Sequence, residues 1–116
     1  MQIDELCNIA YEVAASKGFH DQDVNVSFGD RIALVHTEVS EAMEAYRKHG
    51  LKEWYYPGTL KPEGVASELA DVVIRVADMA KTHGVDLQKA IVQKLEYNKT
   101  RPYMHGLDKT NPLSRV

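Results

Sequence analysis

The sequence predicts an all-α protein built like a four-helix bundle, and three observations carry that prediction. Apolar residues recur at helical spacing in four separate segments, glycine or proline punctuates the ends of those segments, and acidic residues fall in pairs three apart. The chain has 116 residues, the size of one domain, with a core small enough that association with copies of itself would add stability.

Gln2 to about Lys17 places Ile3, Leu6, Ala10, Val13 and Ala14 on one face, with Gly18 as the stop. Cys7 lies among these apolar residues and is expected in the core. Phe19 to Val26 is polar with two aromatic rings, Phe19 and His20, and leads into Ser27-Phe28-Gly29-Asp30, a capping-box spacing with Asp at its last position. A long second helix then runs to about His49, its stripe made by Ile32, Val35, Val39, Ala42, Met43 and Tyr46, and Gly50 closes it.

Leu51 to Lys61 contains Pro57-Gly58 and three adjacent aromatic residues and is expected as a loop. Pro62 suits the first position of a third helix, with Glu63 near its positive end. Val65, Leu69, Val72, Val73, Val76 and Met79 form its stripe up to His83-Gly84. So much valine is also compatible with a strand, but a strand would send Glu68 and Asp71 to opposite faces. Asp86 caps a fourth helix, with Leu87, Ala90, Ile91 and Leu95 inward, to about Asn98. Residues 103–116 are expected as an extended tail that covers a neighbouring subunit, within a single domain spanning 1–116.

Composition excludes several functions. With 14 Lys+Arg against 17 Asp+Glu the formal charge is −3, which disfavours a protein that grips nucleic-acid polymers. A single cysteine excludes an internal disulfide framework and fits a reducing, cytoplasmic setting. The first residues lack the pattern of a signal peptide, and no stretch is long and apolar enough for a membrane span.

The most informative residues are two pairs of carboxylates, Glu38 with Glu41 and Glu68 with Asp71. Three-residue spacing puts both members of each pair on one side of a helix, where like charges repel. Bound divalent cations that prefer oxygen ligands relieve such repulsion. Any single Glu-x-x-Glu is more often a solvated helix face. Two matching pairs, both bordering an apolar stripe, favour a site. A di-iron centre would need Glu-x-x-His, and neither His36 nor His83 has that spacing. An all-carboxylate set suits Mg²⁺, with Mn²⁺ as substitute, and a polyphosphate substrate.

Lys94, Asn98 and Arg101 share a face if helix continues through them, offering groups for phosphate oxygens. A basic helix C-terminus complementing the macrodipole explains the cations equally well. Phe19, His20 and Trp54 are able to stack on a base, although loop aromatics more often anchor a loop. Arg75 and Asp78 are expected as an intrahelical or intersubunit ion pair, and His36 as a packed or interface residue.

These residues resemble a known family. Glu38-x-x-Glu41, 26 residues, then Glu68-x-x-Asp71 is similar to the motif of the MazG-like all-α nucleoside triphosphate pyrophosphohydrolases. The flanks LVHTEVSEAMEAYRK, GVASELADVVIRVADMA and KLEYNKTRPYMHG extend the resemblance over about Ile32 to Gly106. It implies the all-helical pyrophosphatase fold, a homodimer or homotetramer, and Mg²⁺-dependent hydrolysis of a nucleoside triphosphate, expected to be a deoxynucleotide, to monophosphate and pyrophosphate. Glu38, Glu41, Glu68 and Asp71 would hold the metal, one of Glu38 or Glu41 would take the proton of the attacking water, and Lys94, Asn98 and Arg101 would face the substrate. A phosphoribosyl nucleotide as substrate, or a non-catalytic nucleotide-binding oligomer, stays open at this point.

Overall fold

In a computed structural model, which describes residues 1–103, the chain is mostly helical: α1 (Ile3–Ser16), α2 (Phe28–His49), α3 (Val65–Thr82) and α4 (Leu87–Lys99). It divides into two compact units, the first ending at Val85. Within the first, α3 is the central element and packs against both α1 and α2. The second contains α4, whose start is fixed by Asp86 accepting a bond from the Lys89 amide at 3.1 Å.

Local signals set the helix ends. Ser27 and Asp30 form a reciprocal capping box, each side chain accepting from the other residue's amide at 3.0 Å. That bonding holds the Asp30 carboxyl below its ordinary range. Gly50 has φ +62° and ends α2 with its amide on the Tyr46 carbonyl at 2.8 Å.

The third helix does not begin at Pro62. Pro62–Glu63 instead forms a short strand, β2, that pairs antiparallel with β1, Trp54–Tyr55, in the register Trp54↔Glu63 and Tyr55↔Pro62. Proline's fixed φ fits a strand terminus as well as a helix start, and here the ladder prevails. The segment expected as a loop thus carries β1, and a six-residue connection, 56–61, joins it to β2. Gly64 follows at φ +108°, and a Cβ there would lie 2.7 Å from the Lys52 carbonyl oxygen. The chain needs glycine to turn from β2 into α3 against the backbone of β1's approach.

The core is thin and made largely of small residues: Cys7, Ala10, Ala42, Ala77, Met79 and Ala80. Small side chains let α2 and α3 approach closely, and they turn α2 so that Val35, Glu38, Ala42 and Ala45 point inward. The expected α2 stripe is therefore only partly the packed face. Val39, Met43 and Tyr46 remain 51%, 53% and 55% exposed, and on α3 Leu69 and Val73 are half exposed as well. On α4, Leu87 and Ile91 are half-buried, whereas Ala90 and Leu95, expected inward, are exposed. Among the described residues no helix is long and apolar enough to cross a membrane. From residue 104 the expected tail lies outside the described residues.

Candidate metal centre

Packing α2 against α3 brings the two acidic pairs together. Glu38, Glu41 and Glu68 each present a carboxylate oxygen, and the three oxygens lie within 4.8 Å of one another. Their surroundings differ. Glu38 is buried, Glu68 half-buried and Glu41 exposed, so the cluster runs from the helix interface out to solvent. Asp71, one turn beyond Glu68, stands outside this trio and is exposed.

Electrostatics show the strain of collecting these acids. The Glu68 carboxyl is pushed above its ordinary value, first by burial and then by the charges of Glu41 and Asp71. Burial and then the Glu38 charge likewise push Asp71 upward. One Glu68 oxygen, Oε2, is buried with no hydrogen-bond donor. Such an oxygen is costly to hold in place unless a cation or proton meets it. The donor set is all oxygen, which suits a hard divalent cation such as Mg²⁺ or Mn²⁺.

Arg75 supplies the balancing charge. Its Nε donates to Glu38 Oε1 at 2.6 Å, from a side chain that is 44% exposed to one that is 10% exposed. The expected pairing of Arg75 with Asp78 is therefore replaced by a pairing across the α2–α3 interface. Arg75 also lines a cavity of about 20 Å³ with Arg31, Leu34, Asp78 and Met79, and the Arg31 Nε is buried without an acceptor. Asp78 has a different partner, His20, whose Nε2 lies 2.7 Å from Asp78 Oδ1. His20 stacks on Tyr11 with ring centroids 4.6 Å apart, and Thr82 donates to the same Asp78 oxygen at 3.3 Å. His20 thus anchors the segment between α1 and α2 and is not displayed for a base.

Beside Glu41 and Glu68 opens a cleft of about 330 Å³, whose other wall carries Lys48, His49 and Trp54. The His49 and Trp54 rings meet at 5.2 Å, and Trp54 Nε1 is buried without an acceptor. The hairpin brings Trp54 to this cleft, a placement that hinges on β1 pairing with β2.

Lys94, Asn98 and Arg101 belong to the second unit, all exposed. There the Lys94 ammonium and Arg101 guanidinium approach the Tyr97 ring, at 5.7 and 5.8 Å from its centroid. His36 is exposed, and Cys7 is buried with its thiol pushed up, chiefly by burial. Sequence reasoning missed Arg75 as the partner of Glu38. Its only trace in the sequence is position: Glu68, Asp71, Arg75, Asp78 and Thr82 recur every three or four residues along one line of α3.

Comparison with protein-family profiles, with curated proteins and with solved structures finds no match.

Proposed function

We propose that this protein hydrolyses a nucleoside triphosphate to the monophosphate and pyrophosphate, with a divalent cation held by Glu38, Glu41 and Glu68 and Asp71 beside them. The convergence of three carboxylate oxygens from two helices within 4.8 Å, one side chain of the trio buried, carries this reading. The spacing of the four acids, which resembles that of the MazG-like pyrophosphohydrolases, supports the choice of reaction.

When bound, Mg²⁺ would neutralise the triphosphate and stabilise the charge that develops as pyrophosphate leaves. The chain's own residues supply the rest. Glu41 is the solvent-facing member of its pair and takes the proton from the attacking water, whereas Glu38 is buried and bonded to Arg75. The cleft next to Glu41 and Glu68 has the volume of a small-molecule site, and the rings of Trp54 and His49, inclined at 58° to each other, give it an aromatic side for a base.

The working form proposed is a homo-oligomer. Val39, Met43 and Tyr46 on α2 and Leu69 and Val73 on α3 leave apolar surface uncovered over a core of mostly small side chains. Burial of that surface by a second copy would add about 25 cal/mol for each Å² removed from water.

Incubation with each common and several modified nucleoside triphosphates plus Mg²⁺, with all phosphorylated products resolved, tests the reaction. Monophosphate with pyrophosphate is the expected pair. Diphosphate with phosphate, or no turnover of any triphosphate, would reject it.

A further inference from the structure

A buried carboxylate stabilised by a guanidinium is not equally available to a second cation. Glu38 is the buried member of the acid trio, and its Oε1 already accepts from Arg75 Nε at 2.6 Å. Glu41 and Glu68 bring carboxylate oxygens within 4.8 Å of one of Glu38, and Arg75 is hydrogen-bonded into the group, whereas Lys61 pairs with Glu63 at 3.0 Å. Arg75 has a second acceptor within its own helix: Asp78 is three residues further along and lines the same small cavity. An i, i+3 pair of this kind is within reach of a side-chain rotation.

We propose that Arg75 is a resident counter-ion that competes with the divalent cation for Glu38, pairing with Glu38 when the cation is absent and turning toward Asp78 when it enters. The proposal rests on the metal reading given above. Arg75 is thereby a positioning residue that lowers cation affinity and keeps the empty cluster from repelling itself apart. Apparent affinity falls by the fraction of molecules in which the ligand oxygen is already taken. Removing the guanidinium releases that oxygen but leaves a buried carboxylate without its partner.

Mn²⁺ titration of the full chain, read by the electron paramagnetic resonance signal of the free ion with no nucleotide present, tests this. R75M is expected to bind Mn²⁺ about tenfold tighter than wild type, equivalent to ~1.4 kcal/mol. R75K, which keeps the charge but loses the Nε contact, falls between the two. In chelator R75M melts below wild type, and saturating Mn²⁺ narrows that gap. If wild type binds Mn²⁺ and R75M binds it no tighter, the competition is overturned and the metal reading stands. If R75K equals wild type while R75M is tighter, Arg75 acts only through its distant field, which also overturns it. If none of the three binds Mn²⁺, the metal reading itself fails and takes the competition with it. Should R75M not fold, R75K decides alone: tighter binding supports the proposal, and equal or weaker binding overturns it.

Discussion

His20 and Asp78, 58 residues apart in sequence, meet at 2.7 Å and tie the segment between α1 and α2 to the C-terminal part of α3. Both side chains are largely shielded from water, at 8% and 16% exposure, and Thr82 and the Tyr11 ring complete the enclosure. Substituting His20 by Ala leaves Asp78 partly buried with a weaker partner. The expected cost is about 1–3 kcal/mol, read as a lower denaturation midpoint with an unchanged slope. An unchanged midpoint would show that the contact is not formed in solution.

Glu38→Gln, Glu41→Gln and Glu68→Gln are each expected to lower triphosphate hydrolysis by on the order of 10²-fold or more, since a catalytic cation supplies several kcal/mol of charge stabilisation. Circular dichroism should show the helices intact. Asp71→Asn, outside the oxygen trio, should have the smallest effect of the four. Full activity in a folded triple variant would eliminate the cluster as the centre.

The raised carboxyls of Glu68 and Asp71 give the metal-free protein a particular pH response. A carboxyl whose folded value lies above its unfolded one binds more protons in the folded state, so stability falls as pH rises. The fall begins near the ordinary values of 4.5 and 3.8 and is complete above the raised ones. In chelator, Glu68→Gln should therefore gain on wild type as pH rises from about 4 to 7. Mg²⁺ should reverse that order at pH 7, because it stabilises only the protein that can bind it. Melting curves at both pH values, with and without Mg²⁺, check the sign.

Gly64→Ala meets two obstacles at once, a backbone at φ +108° and a Cβ 2.7 Å from the Lys52 carbonyl. The expected loss is about 1–3 kcal/mol. Because Gly64 sits between the strand that positions Trp54 and the helix that carries Glu68, substrate affinity should weaken along with stability. Thermal melting and KM measured on the same preparation test both parts.

Val39→Lys or Met43→Glu places a charge on the exposed apolar face of α2. Either change should lower the mass measured by light scattering if that face is covered by a second copy. An assembly whose mass survives both charges must use another surface.

Much of the architecture was legible in the sequence because it is written in local chemistry. The Ser27–Asp30 capping box, Gly18, Gly50 and Asp86 act within a few residues of themselves, so the helix ends they specify could be read directly. Pro62 was ambiguous, since the same fixed φ serves a helix start and a strand end, and only pairing with Tyr55, seven residues away, decides between them. The acidic pairs were legible from spacing, and their convergence followed from two helices packing side by side. The inward rotation of Glu38 was not, because the large Val39, Met43 and Tyr46 dominate the apolar stripe, whereas the small Ala42 and Ala45 govern how closely helices approach. Arg75 was hidden for a similar reason: its partner is on another helix, 37 residues away.

One line of α3 carries Glu68, Asp71, Arg75, Asp78 and Thr82. Glu68 of the acid cluster, the counter-charge of Glu38 and the anchor for the first interhelical segment are therefore fixed to a single rigid rod. A rotation of α3 by one residue, about 100°, would undo all of them together. The helix works as a key with several teeth, and the segment around His20, which bonds Asp78 and not the cluster, helps decide whether they line up.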